Sequence, residues 1–149
     1  MSEYKTAQAN WHTILLEGAT ILRDLPARPF TLVWDGDETE IRTGVYMGPV
    51  LVDLRLEPTQ PPTQAGDIWE DVAELSIEVG ALLTIRGPWD NEPACTLALD
   101  PGIYRMRVSA TGRDVAYDLA VRQPTERYLV HIWRAPEAPF RVVKATTSV

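Results

Sequence analysis

Two arginines, a histidine and a tryptophan are the residues of this chain best spaced to form a recognition surface. In "IYRMRVSA" (103–110) the alternation places Arg105 and Arg107 on one strand face, with Tyr104, Met106 and Val108 on the other. In "RYLVHIWR" (127–134) the same period groups His131 and Trp133 with Arg127 and Leu129. If the two strands share a sheet, Arg105, Arg107, His131 and Trp133 meet on one surface, and Arg and Trp are residue types that anchor interfaces. The plainer expectation is a solvated sheet face. There the Arg stems would lie over their neighbours and pair with acids such as Asp118. It is the favoured one, and it predicts that Arg105 and Arg107 are exposed. Trp69 and Trp89 sit at loop edges, where an exposed ring could stack on the apolar face of a sugar. Trp34 and Trp133 fall in strands and are expected in the core or half-buried, and Trp11 opens a strand.

Catalytic arrangements are poorly represented. No G-x-S-x-G elbow occurs, and Ser76 and Ser109 lie inside expected strands. The histidines, His12 and His131, are far apart in sequence, and the single Cys95 lies in the apolar run "ACTLAL", which reads as a small core residue without an activating neighbour. No metal-ligand spacing and no phosphate-cradling glycine motif is found. "DGDETE" (35–40) opens like a calcium loop, but Gly44 and Val45 fall where later ligands are needed, so it reads as a hairpin turn. Asp53 with Glu57, and Glu74 with Glu78, share strand faces as a glycosidase pair would, yet outward strand charges account for them equally. The expectation is a protein without enzymatic activity, cofactor or metal.

The elements that would position these residues are strands. Period two prevails over period 3.6 almost throughout, in "WHTILLEG", "ATILRD", "PFTLVWD", "TEIRTGVYM", "PVLVDLRLE", "ALLTIRG", "CTLAL", "IYRMRVSA", "YDLAVR", "RYLVHIWR" and "RVVKATT". "IWEDVAELSIEVG" fits both periods; its β-branched end and Gly80 favour a strand from about Val72, with a helical turn possible over 68–71. Pro58, Pro61, Pro62 and Gly66 mark "PTQPPTQAGD" as a surface loop, and "RAPEAPF" is a second proline-bearing crossing. Short strands with turns every 8–12 residues predict a single all-β domain over 1–149, an antiparallel two-sheet β-sandwich of jelly-roll type.

Charge narrows the partner. The net charge is −7, divided as −9 over residues 1–80 (14 acids, 5 bases) and +2 over 81–149 (7 acids, 9 bases). An acidic chain repels phosphate, which argues against nucleic acid and anionic membranes and suits a basic protein partner. No apolar run has the length of a membrane helix, and no basic start leads into an apolar stretch, so a cytoplasmic protein is expected.

Several segments resemble a family of bacterial β-rich proteins without assigned activity. They are Trp89-Asp90; the strand Pro101-Gly102-Ile103-Tyr104-Arg105-Met106-Arg107 with its turn Gly112-Arg113-Asp114; Tyr128-Leu129 with Trp133; and Ala135-Pro136 with Ala138-Pro139. The resemblance covers about half of the chain, mainly its C-terminal part. In layout the chain is similar to the competence protein J group, small β-rich inhibitors of a nuclease. That resemblance implies a protein that binds another protein, as an inhibitor or immunity factor for a nuclease or toxin. The alternative is a carbohydrate or small-ligand module using Trp69 and Trp89.

Overall fold

The computed structural model describes residues 4–23, 25, 32–35, 38–63 and 66–147. Among these residues there are ten strands and no helix. They are β1 (Lys5–Asn10), β2 (Thr13–Ile21), β3 (Val33–Asp35), β4 (Thr39–Arg42), β5 (Met47–Leu56), β6 (Asp71–Arg86), β7 (Cys95–Ala98), β8 (Gly102–Thr111), β9 (Arg127–Arg134) and β10 (Arg141–Ala145).

The expected two-sheet sandwich is not what forms. One continuous sheet runs β6-β8-β9-β5-β1-β2, and β2 then pairs with β6, so six strands close into a barrel. β4 and β3 extend from β2, while β10 and β7 attach to β6. The pairing is also not wholly antiparallel, because β5 and β9 run parallel, Leu51 opposite Arg127 through Leu56 opposite Ile132. Alternation looks the same in a sandwich and in a barrel: both have one buried face per strand. Closure is decided by a long-range pairing that periodicity does not encode.

Two bends make that pairing possible. The expected break at Gly80 does not occur, and β6 runs on for 16 residues. Its first half, Asp71–Val79, pairs with β8, and its second half, Leu82–Ile85, pairs with β7. β2 follows the other edge of β6, and the register shifts between Glu17 and Ala19. The pairing breaks at Gly18, which stands opposite residues 80–83 of β6; Gly18 has φ of 97°, and a Cβ there would stand 2.0 Å from the Leu82 carbonyl oxygen. A glycine is required on both counts. Sequence reading took Gly18 as a separator between two strands; it is the bend within one.

The barrel interior collects one face of each strand. Ala7 and Ala9, Ile14 and Leu16, Val50 and Val52, Ala73 to Val79 in alternation, Met106, Val108, Val130 and Ile132 are all buried there. Two other local expectations change, and one strand forms where none was expected. "YDLAVR" forms turns, with a single bridge from Ala120 to Met47 rather than a strand. "KTAQAN", with no β-branched run to announce it, supplies β1. Residues 68–71 hold no helical turn. The start of "PFTLVWD" and the centre of "DGDE" lie outside the described residues.

Candidate functional site

β6, β8 and β9 lie side by side, and their outward faces form a grid. Glu74, Arg107 and His131 make one row; Ser76, Arg105 and Trp133 make the next; Val72, Ser109 and Leu129 make a third. The four residues singled out from spacing therefore meet on one surface. The surface is not solvated, however. Arg105 is only 7% exposed and Arg107 only 3%, and Trp133 is buried. Two long connections cover the grid: the Ala135–Phe140 segment crosses Ser76 and Arg105, and the β5–β6 connection crosses Arg107 and His131.

The hydrogen bonds show what holds this cover. Arg105 donates through Nη1 to Ser76 Oγ at 3.1 Å and to the Ala138 carbonyl at 2.9 Å, and through Nη2 to the Pro139 carbonyl at 2.7 Å. The Ala138 N–H donates back to Ser76 Oγ at 2.9 Å. A proline-bearing segment cannot join a ladder through its ring nitrogens, so a guanidinium collecting its carbonyls serves instead. Burial lowers the Arg105 pKa, with Glu74 pulling the other way. Arg107 donates through Nε to buried Glu74 at 2.8 Å, and its guanidinium stands 5.4 Å from the Trp133 ring centroid. Arg141 approaches the same carboxylate at 3.7 Å.

Trp69 is half-buried in the covering connection. With Pro62, Thr63, Arg107, Ser109 and His131 it lines a cavity of about 150 Å³. His131 is held below its ordinary pKa by burial, against an opposing pull from Glu57, with Arg107 and Arg55 adding to the lowering and Asp53 opposing it. Trp89 is 76% exposed in the β6–β7 loop and takes no part in that cavity. The two loop tryptophans do not flank one groove there, which removes the geometric reason for pairing them on a sugar. Trp34 is exposed rather than core, with Arg42 stacked 4.9 Å from its ring centroid.

A second surface was not singled out from sequence. At one end of the barrel the β1–β2 turn, the β4–β5 loop and the β8–β9 connection come together. Trp11 and His12, the two central residues of the turn, have φ of 54° and 60°, and Asp118 has φ of 61°. Positive φ at both central residues is the type I′ arrangement that strand twist favours, but it is normally filled by Asn-Gly. A Trp there carries strain of roughly 1–2 kcal/mol. Trp11 is 64% exposed and meets Tyr46 edge to face at 5.1 Å. His12 packs against Tyr46 and Tyr117; its Nδ1 lies 2.8 Å from the Thr43 carbonyl oxygen and its Nε2 2.8 Å from Asp118 Oδ1. Met47, Val115, Tyr117 and Leu119 are also exposed in these segments.

Beneath this end lies a buried polar frame. The Glu126 carboxylate accepts from the Gly44 and Val45 N–H groups at 2.9 and 2.6 Å and from the Tyr128 hydroxyl at 2.5 Å. Burial pushes the Glu126 pKa up, against the lowering by these donors and by Arg113. Arg113 Nη1 reaches Asp71 Oδ2 at 3.2 Å, both side chains being buried, and Asp71 also accepts from Thr146 and Thr147. The loops that carry the exposed aromatics are therefore fixed from below, the condition for a preformed recognition surface.

One carboxylate of each strand-face pair is already committed to an arginine. Asp53 accepts from Arg55 at 2.8 Å, and Glu74 is committed to Arg107. Cys95 is partly buried, and burial pushes its thiol up to about 11. Among the described residues no group of three or more His, Cys, Asp and Glu is placed to hold a metal ion. No helix among them is long and apolar enough to cross a membrane.

No protein-family model matches the chain, and no curated protein matches it by sequence. Among solved structures the chain is similar to ComJ from Bacillus subtilis, described as an inhibitor of the DNA-degrading activity of NucA. The TM-score is 0.52 at 10% identity, covering 91% of this chain and 99% of that one. The likeness is one of fold, and it bears out the layout resemblance to the competence protein J group.

Proposed function

We propose that the chain is a non-enzymatic protein-binding module that inhibits, or confers immunity against, a nuclease or toxin, and that it binds through the aromatic end of the barrel. The observation that carries this reading is the exposed cluster of Trp11, Tyr117 and Leu119 around half-buried Tyr46, held by residues in strained backbone conformations over a buried frame. The hairpin demands positive φ at positions 11 and 12, and filling them with Trp-His instead of Asn-Gly retains strain that points to use. Tryptophan and tyrosine are the residues that carry binding energy in interfaces. An acidic chain of net charge −7 suits a basic partner, and nucleases carry basic substrate grooves. The fold shared with a nuclease inhibitor supports the same direction.

Purified chain titrated into a lysate of the source organism tests the reading, with plasmid DNA as reporter. Dose-dependent, saturable loss of DNA hydrolysis is expected. Unchanged hydrolysis at tens of micromolar folded chain would count against it, since specific inhibitors of standard interface size bind at nanomolar to micromolar strength.

A further inference from the structure

On the reading of the aromatic end as the binding surface, we infer that this end receives an arginine side chain of the protein partner. Its guanidinium is bound by the Asp118 carboxylate and stacked on the rings of Trp11 and Tyr117. Trp11, His12 and Asp118 are the only non-glycine residues with positive φ among the described residues, and all three meet here. His12 Nε2 lies 2.8 Å from Asp118 Oδ1, which fixes the carboxylate in place. Asp118 Oδ2 has no hydrogen-bond partner among the described residues, and the side chain is 65% exposed. Backbone bonds lace the three segments together. The Asp118 N–H donates to the Gly44 carbonyl at 2.8 Å, the Tyr46 N–H to the Leu119 carbonyl at 2.9 Å and the His12 N–H to the Tyr46 carbonyl at 3.1 Å. An acceptor held in this way needs no ordering on binding.

The rings are unmatched at the same place. Elsewhere the chain covers aromatic rings with its own arginines: Arg42 on Trp34, Arg107 on Trp133, Arg127 on Tyr4 and Arg134 on Tyr104, at 4.7–5.4 Å from the ring centroids. Among the described residues Trp11, Tyr46 and Tyr117 hold no arginine or lysine; their ring partners are one another and His12. Trp11 is 64% and Tyr117 51% exposed, so both rings are open to a partner. A ring face attracts a cation through its quadrupole, most strongly for Trp, and a carboxylate beside it adds a charge-assisted hydrogen bond. Guanidinium suits this pair better than ammonium: it is planar, weakly hydrated, and able to stack while donating in its own plane. The local charge agrees. The β8–β9 connection exposes Asp114 and Asp118, whereas its Arg113 is buried on Asp71 and only Arg122 is an exposed base. His12, the basic group in contact with Asp118, meets Oδ1 and leaves Oδ2 to the partner. Trp89 is more exposed still, but it has no ring neighbour among the described residues.

The test titrates the full chain with arginine blocked at both ends. Blocked lysine and blocked citrulline, the uncharged isostere of arginine, run in parallel, all against sodium chloride at equal ionic strength. Proton–nitrogen NMR follows the Trp11 indole and the Tyr117 and Asp118 amides. Blocked arginine is expected to give saturable shifts with a midpoint of roughly 1–50 mM. Lysine is expected to need at least about three times more, and citrulline to give no shift beyond the salt control. Asp118→Asn keeps the side-chain size and a residue type that tolerates positive φ; it is expected to weaken arginine binding at least about fivefold. Trp11→Ala, which removes an exposed ring, is expected to do the same at the Tyr117 and Asp118 amides, and Trp89→Ala to change nothing. No saturable shift with arginine, a citrulline response equal to that of arginine, or an unaltered midpoint in Asp118→Asn would overturn the site. Lysine binding as tightly as arginine would overturn the choice of guanidinium. No nuclease is present in this titration, so its outcome is separable from inhibition. Arginine binding without inhibition keeps the site and removes the nuclease; inhibition without arginine binding keeps the surface and removes the arginine.

Discussion

Replacing Glu74 by Gln removes the one buried carboxylate on the outer face of β6 and β8. The side chain keeps its shape but loses its charge, so Arg107, 3% exposed and bonded to it at 2.8 Å, is left as a buried cation without a counter-charge. Breaking such a pair from one side costs about 3–5 kcal/mol. A domain of this size has a total stability of roughly 5–15 kcal/mol, so the loss is a large share of it. At about 2–4 °C per kcal/mol it lowers Tm by about 6–20 °C. In urea, with m near 2 kcal/mol/M, the midpoint falls by about 1.5–2.5 M. The companion variant, Glu74→Leu with Arg107→Leu, removes both charges and is expected to recover most of the loss, because apolar groups of similar volume replace a buried pair at little cost. Urea unfolding followed by tryptophan fluorescence measures all three proteins. A Glu74→Gln loss under about 1 kcal/mol, or a double variant no better than the single one, would refute the claim that the pair is buried and coupled.

Other outcomes follow from single residues. Gly18→Ala places a Cβ against the Leu82 carbonyl at a φ of 97°; it is expected to cost at least about 2 kcal/mol in chemical unfolding and to raise hydrogen exchange along the β2–β6 seam that closes the barrel. Cys95, with its thiol near 11, is about one thousandth thiolate at pH 8, so iodoacetamide labelling of the native chain is expected about a hundredfold slower than of a free cysteine, and equal rates would show that the residue is not buried as described. Because burial raises the Glu126 pKa, the folded state keeps that proton to a higher pH than the unfolded chain does. That contribution to stability is fully present below the ordinary value of 4.5 and is lost as pH rises through the raised one. Wild type minus Glu126→Gln, compared by urea midpoint between about pH 4 and pH 8, is expected to show this decline, and a difference that grows with pH would contradict it.

Alternation made the strands legible, and it also gave the register by which Arg105 faces Trp133 and Arg107 faces His131. It could not tell that this face is covered. The rule that charged strand faces are wet assumes that nothing crosses them. Here two proline-bearing connections, read as surface loops, lie over the sheet and turn Arg105 and Arg107 into buried ties. Closure was invisible for a related reason. It rests on Gly18, and on Gly80 being passed through within β6, and a glycine in a strand pattern reads equally as a stop or as a bend. The aromatic end was missed because its turn is Trp11-His12, which lacks the Asn or Gly that normally announces positive φ. "KTAQAN", just before the pair, has no β-branched run, so no hairpin was signalled there.

The most direct test of the central claim compares two variants in the nuclease-inhibition titration. Trp11→Ala with Tyr117→Ala removes exposed rings from the aromatic end, and Trp89→Ala removes a still more exposed ring from the β6–β7 loop. With folding checked by circular dichroism, the double variant is expected to lose inhibition by about a hundredfold or more, and Trp89→Ala to match wild type, since two hot-spot aromatics contribute roughly 2 kcal/mol or more each. Equal inhibition by the double variant and wild type, or loss confined to Trp89→Ala, would contradict the assignment of this end of the barrel as the binding surface.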